Sequence, residues 1–467
     1  MHQSCHTITF KPVVNHVFQP WPGERAKIFD LRFEGLQRPR QFAQLGETSM
    51  SDPIDRRHFL GIAAGTGLSA GLANAVVGAQ GPSPGELIGD DSRKGSRDSA
   101  PFLTEANKFV DVSRGNPKPH TLKGEALAKA RLTPSTWRLE IVGDPSANVA
   151  RPGRLEDNTA LDLAGLKELG KSHGVKFLKA MQCNNIPFPL GQGLWEGVPL
   201  RDVLRRVGKV GNVRRVYYWG FHNDDPAQLF QSSLAYNRAM ESPPWEPPPL
   251  VAYRLNGQDI PLVRGGPVRM IVPWAHGFKS VKWLQRIVLT NDYQANDTYA
   301  LQNNDPESYL KTAAYIGRGS LSFKAGEPVA IAGAAMVGLS GLKRVEFWLR
   351  PASGRDGKLA DDDPAWLTAE WRPCELMPPP SNWKAILPKA ISSKDVWGFD
   401  RKSGTPKDWP LLYSMVPWTA RIKALSPGTY EIRARTVDLN DLAQPEPRPY
   451  QKSGLNLVPI QTLVVTA

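Results

Sequence analysis

Only three cysteines occur in 467 residues: Cys5, Cys183 and Cys374. That scarcity excludes a disulfide-built scaffold and an iron–sulfur cluster held by four thiolates. No Cys-x-x-Cys-His occurs, so no covalent c-type haem is encoded. Zinc-finger spacing, a helix-turn-helix signal and long Lys/Arg runs are missing too. The excess of 58 basic over 45 acidic residues (net +13) is therefore not a nucleic-acid footprint. It suits a small anionic ligand or a solvated surface. No apolar run approaches the roughly 20 residues that a membrane-spanning helix needs. No repeat period is visible. What the chain has is material to bury, with 41% hydrophobic residues and 14 Trp. A chain this long exceeds one core, so two domains and a leader are expected.

The leader is legible in Asp55-Arg56-Arg57-His58-Phe59-Leu60, followed by a mild Gly/Ala-rich apolar run from Gly61 to Leu72 and by Ala73-Asn74-Ala75. Paired arginines, a short apolar core and a small-residue cleavage box in that order predict a twin-arginine export signal and a periplasmic destination. Such signals begin a few residues before the arginines, where Met50 lies. Residues 1–49 are then expected to be a non-native upstream extension, 50–75 the signal peptide, and the Gly/Ser/Pro-rich stretch 76–105 a linker.

Globular patterning begins near Phe109. Alternation predicts strands over Trp137–Val142, Val213–Trp219, Val268–Val272 and Trp283–Leu289, and helical spacing covers Leu161–Leu169. Leu200, Val203, Leu204 and Val207 recur at i, i+3, i+4 and i+7 and stop at Gly208, a short amphipathic helix. Pro243-Pro244-Trp245-Glu246-Pro247-Pro248-Pro249 can only be loop. From Gly317 onward, apolar runs at Pro328–Ala334, Leu342–Arg350 and Gly428–Val437 separated by Gly/Pro turns predict an immunoglobulin-like β-sandwich. The expected class is α+β: a mixed α/β domain over 106–316, then the sandwich over 317–467.

The most informative segment is Lys179-Ala180-Met181-Gln182-Cys183-Asn184-Asn185, which runs on to Gly191-Gln192-Gly193-Leu194-Trp195-Glu196-Gly197-Val198-Pro199-Leu200. A thiol here follows an apolar strand (Val175 to Met181) and precedes a glycine-rich loop that opens into a helix, a common place for chemistry. Taken alone, a lone cysteine is more often a small buried hydrophobe. Three further segments follow it in order: Trp195-Glu196-Gly197-Val198-Pro199-Leu200, Gly266-Pro267-Val268-Arg269-Met270-Ile271-Val272-Pro273, and Gly277-Phe278-Lys279-Ser280-Val281-Lys282-Trp283-Leu284. Together these resemble the sulfite oxidase family of molybdopterin enzymes, over roughly residue 106 to the end.

The resemblance implies a molybdenum–molybdopterin cofactor with Cys183 as the protein's metal ligand. Molybdenum prefers soft thiolate donors, and the anionic pterin needs cationic partners. By family likeness, Arg269, Lys279, Ser280 and Lys282 bind the cofactor, with Arg264 in place of the family's pterin-contacting histidine. Arg114, in Arg114-Gly115-Asn116, is a loose counterpart of an N-terminal Arg-Asn-His element. Tyr299 stands one register position from the family's active-site tyrosine. The departure that bears on substrate is Asn184-Asn185-Ile186-Pro187-Phe188, where relatives carry Ala-Gly-Asn-Arg-Arg and grip the substrate anion with the last arginine. Phe188 there predicts poor binding of a dianion unless Arg264 compensates. The implied function is oxidation of sulfite or a related sulfur compound by oxygen-atom transfer at molybdenum, in a homodimer that passes electrons to an external cytochrome. Reduction of sulfoxides or other oxides is the alternative within enzymes, and an exported binding protein with a vestigial site is the alternative outside them.

Overall fold

The computed structural model describes residues 102–467 apart from 185, 224, 301–304, 318–320, 353–358, 361–362 and 445–457. The upstream stretch 1–49, the twin-arginine segment 50–75 and most of the expected linker lie outside the described residues. The last linker residues do not behave as one. Phe102 sits edge-on to Trp383 at 5.3 Å, and the Thr104 amide donates to the Gln192 carbonyl at 2.7 Å. Phe102 and Leu103 are apolar enough to be worth burying, which ends the linker early.

Two sheets build the first half. One runs in the order Leu161–Asp162, Arg138–Gly143, Leu284–Thr290, Arg215–Gly220, Gln231–Ala235, with only the Arg138–Gly143 and Leu284–Thr290 pair parallel. The other runs Gln258–Asp259, Leu250–Leu255, Gly191–Pro199, Val175–Met181, and Arg269–Ile271 joins Leu250–Leu255. The expected strands fall within one or two residues of those observed. The helix read at Leu161–Leu169 begins later, at Leu163, because Leu161–Asp162 pairs with Arg138–Leu139 and the Asp162 carboxylate caps the helix by accepting from the Gly165 amide at 2.8 Å.

The glycine-rich segment is the main correction. It is not a loop but the strand Gly191–Pro199, every residue of which is buried. A strand covered on both faces shows no alternation, which hides it from a period-two reading. Its glycines answer to crowding: a Cβ on Gly197 would lie 2.4 Å from the Val251 carbonyl oxygen. One face of this sheet shares a core with the first sheet, through Ala180, Val198 and Val251 against Leu139, Val216 and Ile287. The other face packs Phe177, Met181 and Trp195 against Phe109, Val110 and Leu190. That second face is where the cavity lies.

The second half holds two more sheets, ordered Ala313–Ile316, Val329–Met336, Met415–Ile422, Glu375–Leu376, and Leu321–Lys324, Ile460–Thr466, Gly428–Val437, Arg344–Pro351, Arg372–Pro373. Both feed one core, with Ile331, Val416 and Trp418 from the former meeting Phe347, Ile432 and Leu463 from the latter. The first of these strands, Ala313–Ile316, precedes the Gly317 boundary read from sequence. The described chain is thus mixed α/β, rich in sheet and poor in helix. No helix among the described residues is long and apolar enough to cross a membrane.

Candidate functional site

Cys183 lies two residues beyond the strand Val175–Met181, in a link that returns to Gly191. Gln182 holds that link from within, its side-chain amide donating to the Cys183 carbonyl at 3.1 Å and the Ile186 carbonyl at 2.5 Å. The Gln182 carbonyl in turn accepts from the Gly277 amide at 2.6 Å, which hooks the thiol's link to the single helical turn Gly277–Lys279. The thiol is half-buried and lines a cavity of about 560 Å³. Cys374 is elsewhere: it packs on the core of the second half, and burial pushes its thiol up to about 12.

The cavity gathers most of the residues singled out in the sequence. Arg114, Cys183, Arg264, Arg269, Ser280, Lys282 and Tyr299 all line it. Lys279 does not. The turn at 277–280 presents Phe278 and Ser280 to the cavity and sends Lys279 the other way, where its ammonium is fully buried against Asp297 at 2.9 Å and the Ser233 carbonyl at 2.8 Å. Phe188 is also outside the lining and packs on the Phe109–Phe177–Trp195 cluster. The expectation that position 188 faces substrate is therefore not met.

The cavity's electrostatics are one-sided: among the described residues four lining side chains are Arg or Lys and none is Asp or Glu. Arg269 is 4% exposed, and it spends two donors on the carbonyls of Arg264 (2.6 Å) and Ser280 (2.5 Å) while lying over the Trp195 ring at 5.2 Å. Burial first, and then repulsion from Arg264, pushes its guanidinium down to about 9. Arg264 donates to the Val110 carbonyl at 3.2 Å, and burial lowers it as well. The Nε of both arginines and the Trp195 indole nitrogen are buried with no acceptor among the described residues. Lys282 donates to Asp111 (3.2 Å), Ser113 (2.6 Å) and the Val263 carbonyl (2.8 Å). Burial pushes Lys282 down to about 7 even though Asp111 pulls the other way. Burial also opposes ionisation of Asp111, yet the Lys282 charge and the Ser113 hydrogen bonds hold it far below the usual carboxylate range.

At the mouth, exposed Arg114 donates to the Tyr299 hydroxyl at 2.9 Å and stacks over Phe230 (5.4 Å) and Tyr299 (5.5 Å). Sequence reasoning missed His222, which lines the cavity between Phe230 and Trp283 at 5.5 and 5.3 Å. Burial pushes its imidazole down to about 4, so it is neutral at pH 7. A lone histidine after the Arg215–Gly220 strand carries no pattern that would have flagged it.

Orphaned donors beside excess buried cations are costly unless an acceptor-rich anion completes them. A phosphate-bearing dithiolene fits this donor set, and a soft metal fits the thiol. Among the described residues no group of three or more His, Cys, Asp or Glu could hold a metal ion. A pH effect follows for the cofactor-free protein. Below about 7 both the folded and unfolded chains hold the Lys282 proton, whereas between about 7 and its ordinary 10.5 only the unfolded chain does. Stability therefore rises with pH from 7 to 9, by at most about 1.4 kcal/mol per pH unit from this group. Denaturation of the cofactor-free protein across that window should show the rise, and Lys282→Met should flatten it. Equal slopes in both proteins would contradict the assignment.

Residues 126–298 match the model of the oxidoreductase molybdopterin binding domain. The chain is 28% identical to mitochondrial sulfite oxidase of Mus musculus over 38% of this chain and 33% of that protein. It is 24% identical to the protein-methionine-sulfoxide reductase catalytic subunit MsrP of Gluconobacter oxydans (strain 621H), over 50% of this chain and 69% of that protein. The crystal structure of the sulfane dehydrogenase SoxCD from Paracoccus pantotrophus aligns over 87% of this chain and 95% of that chain at 15% identity, with a TM-score of 0.48, too loose to carry an argument. The chain spans about a third to a half of the length of the sulfite oxidases it matches. The match lies over the segment that carries the thiol and most of its cations: residues 126–298 are an oxidoreductase molybdopterin binding domain, in a chain similar to sulfite oxidases.

Proposed function

We propose that this chain transfers oxygen atoms to sulfur compounds at a molybdenum–molybdopterin centre held around Cys183, with sulfite as the first substrate to test. The observation that carries this is the convergence of one half-buried thiol, four cations and Tyr299 on a single cavity. When bound, the cofactor supplies the oxygen-atom and two-electron chemistry. The chain's own work is positioning. Cys183 would ligate the metal, while Arg264, Arg269, Ser280 and Lys282 would hold the pterin's anionic groups. Arg114 draws an oxyanion to the mouth, and the Tyr299 hydroxyl beside it is a donor suited to a substrate oxygen. Phe230, Phe278 and Trp283 form an apolar wall that keeps bulk water back. Oxidation of sulfite with an oxygen from water releases two protons and two electrons, and the electrons leave singly to an external cytochrome.

Sulfite-dependent reduction of a cytochrome tests this reading. Arg114→Gln should raise KM for sulfite about ten- to a hundredfold, the worth of one lost charge-assisted hydrogen bond. Phe188→Arg should bring no gain. The apolar wall favours a second reading, reduction of neutral sulfoxides, and one relative is named for that activity. Turnover of methionine sulfoxide with a reduced dye, indifferent to Arg114→Gln and without sulfite oxidation, would select it. The proposal further takes the first half as the catalytic domain and the second half, from the strand Ala313–Ile316 onward, as an immunoglobulin-like dimerisation domain, in a protein exported through its twin-arginine signal. The two sheets sharing one core support the sandwich. The native mass of protein from the periplasmic fraction should be that of a dimer, and a protein retained as a cytoplasmic monomer would contradict both statements.

A further inference from the structure

Lys279 stands in the middle of the motif that lines the cavity, yet its amine points away from it. The ammonium is 0% exposed and is satisfied by Asp297 at 2.9 Å and by the Ser233 carbonyl at 2.8 Å. Asp297 is itself buried and collects hydrogen bonds from the Ser232 hydroxyl, the Ser233 amide and the Ser233 hydroxyl (both 3.2 Å). A buried lysine–aspartate pair this well satisfied holds geometry firmly, because losing either partner strands a charge away from water.

What the pair holds is the chain on which Tyr299 is carried. Residues 297–299 belong to no strand, and they dock along the edge strand Gln231–Ala235. Thr298 exchanges hydrogen bonds with Gln231, its amide donating at 3.1 Å and its hydroxyl accepting at 3.0 Å. The Ala300 amide closes back on the Asp297 carbonyl at 2.8 Å. Beyond that short anchor the Tyr299 ring leans edge-on against Phe230 and Phe278 and accepts from Arg114. Phe278 is the residue before Lys279, so one helical turn both walls the tyrosine and pins its segment.

We infer that Lys279 is a positioning residue: through Asp297 it latches the 297–299 segment so that Tyr299 and Arg114 meet at the cavity mouth. This rests on the reading of the cavity as the catalytic site, and it assigns Lys279 no contact with the cofactor. The latch explains why a lysine occupies a place where its charge serves neither solvent nor the cavity.

The test uses the full-length holoenzyme with Lys279→Met, Asp297→Asn and Tyr299→Phe. In hydrogen–deuterium exchange, the peptide covering 296–300 should exchange at least about tenfold faster in Lys279→Met, because the amides of Thr298 and Ala300 lose their shelter. Asp297→Asn keeps the shape and one acceptor oxygen while removing the charge, and it should show the same change in the same peptide at about threefold. Molybdenum content should equal that of the wild type in both. In kinetics, Lys279→Met combined with Tyr299→Phe should be about as impaired in kcat/KM as Tyr299→Phe alone, because the first acts through the second. Unchanged exchange in both latch variants, lost molybdenum in Lys279→Met, or additive kinetic losses would each overturn the latch. Exchange and metal content need no substrate, so they judge the latch even if sulfur oxidation itself fails.

Discussion

Cys183→Ser should give a folded protein with no measurable turnover. The fold should survive because the link that carries the residue is held by the Gln182 side-chain amide on the carbonyls of Cys183 and Ile186 and by the Gly277 amide on the Gln182 carbonyl. None of these uses the sulfur. Serine has nearly the same shape, so the packing loss is small. The chemistry is another matter. A metal deprotonates a coordinating thiol outright, whereas a serine hydroxyl is a harder donor that keeps its proton far more tightly. Cys374→Ser is the control: that thiol packs on the β-core of the second half, and activity should be unchanged. A Cys183→Ser protein that turns over normally would remove the metal-ligand role.

The second large effect should come from Arg269→Met, and its value lies in a contrast between two states. In the cofactor-free protein, two terms oppose each other. Methionine strands the carbonyls of Arg264 and Ser280, at about 1–3 kcal/mol each, but it also removes a buried guanidinium with no carboxylate partner among the described residues, which relieves several kcal/mol. Thermal stability of the cofactor-free form should therefore move little. Cofactor retention should fall by about ten- to a hundredfold per charge-assisted bond lost. Melting curves with and without cofactor, alongside pterin content after gel filtration, separate the outcomes. An equal loss of stability in both forms would make Arg269 a structural residue.

Much of the site was legible through the resemblance of a few local motifs to the sulfite oxidase family. That resemblance, not periodicity, pointed to Cys183, Arg264, Arg269, Ser280 and Lys282, and the cavity gathers all five. Lys279 was misplaced for a local reason. In the turn Gly277–Lys279, neighbouring side chains diverge by about a third of a rotation, so a lysine between two cavity residues faces the opposite side. Phe188 was misplaced because its side chain packs onto the cluster of Phe109, Phe177 and Trp195, outside the cavity lining. The strand Gly191–Pro199 escaped because burial on both faces erases alternation and its glycines mimic a loop. His222 and Ser113 reach the cavity only through tertiary packing, and no sequence period marks them. Arg114 carried a loose motif, and its pairing with Tyr299 joins residues 185 positions apart.

The central claim is that the cavity around Cys183 holds a molybdenum cofactor. Elemental analysis of protein purified from a host that makes the cofactor tests it most directly, with Cys183→Ser measured beside the wild type. The account predicts about one molybdenum per wild-type chain, accompanied by pterin, with the metal centre altered in Cys183→Ser. Wild-type protein from such a host that carries pterin-free, molybdenum-free cavities would contradict it.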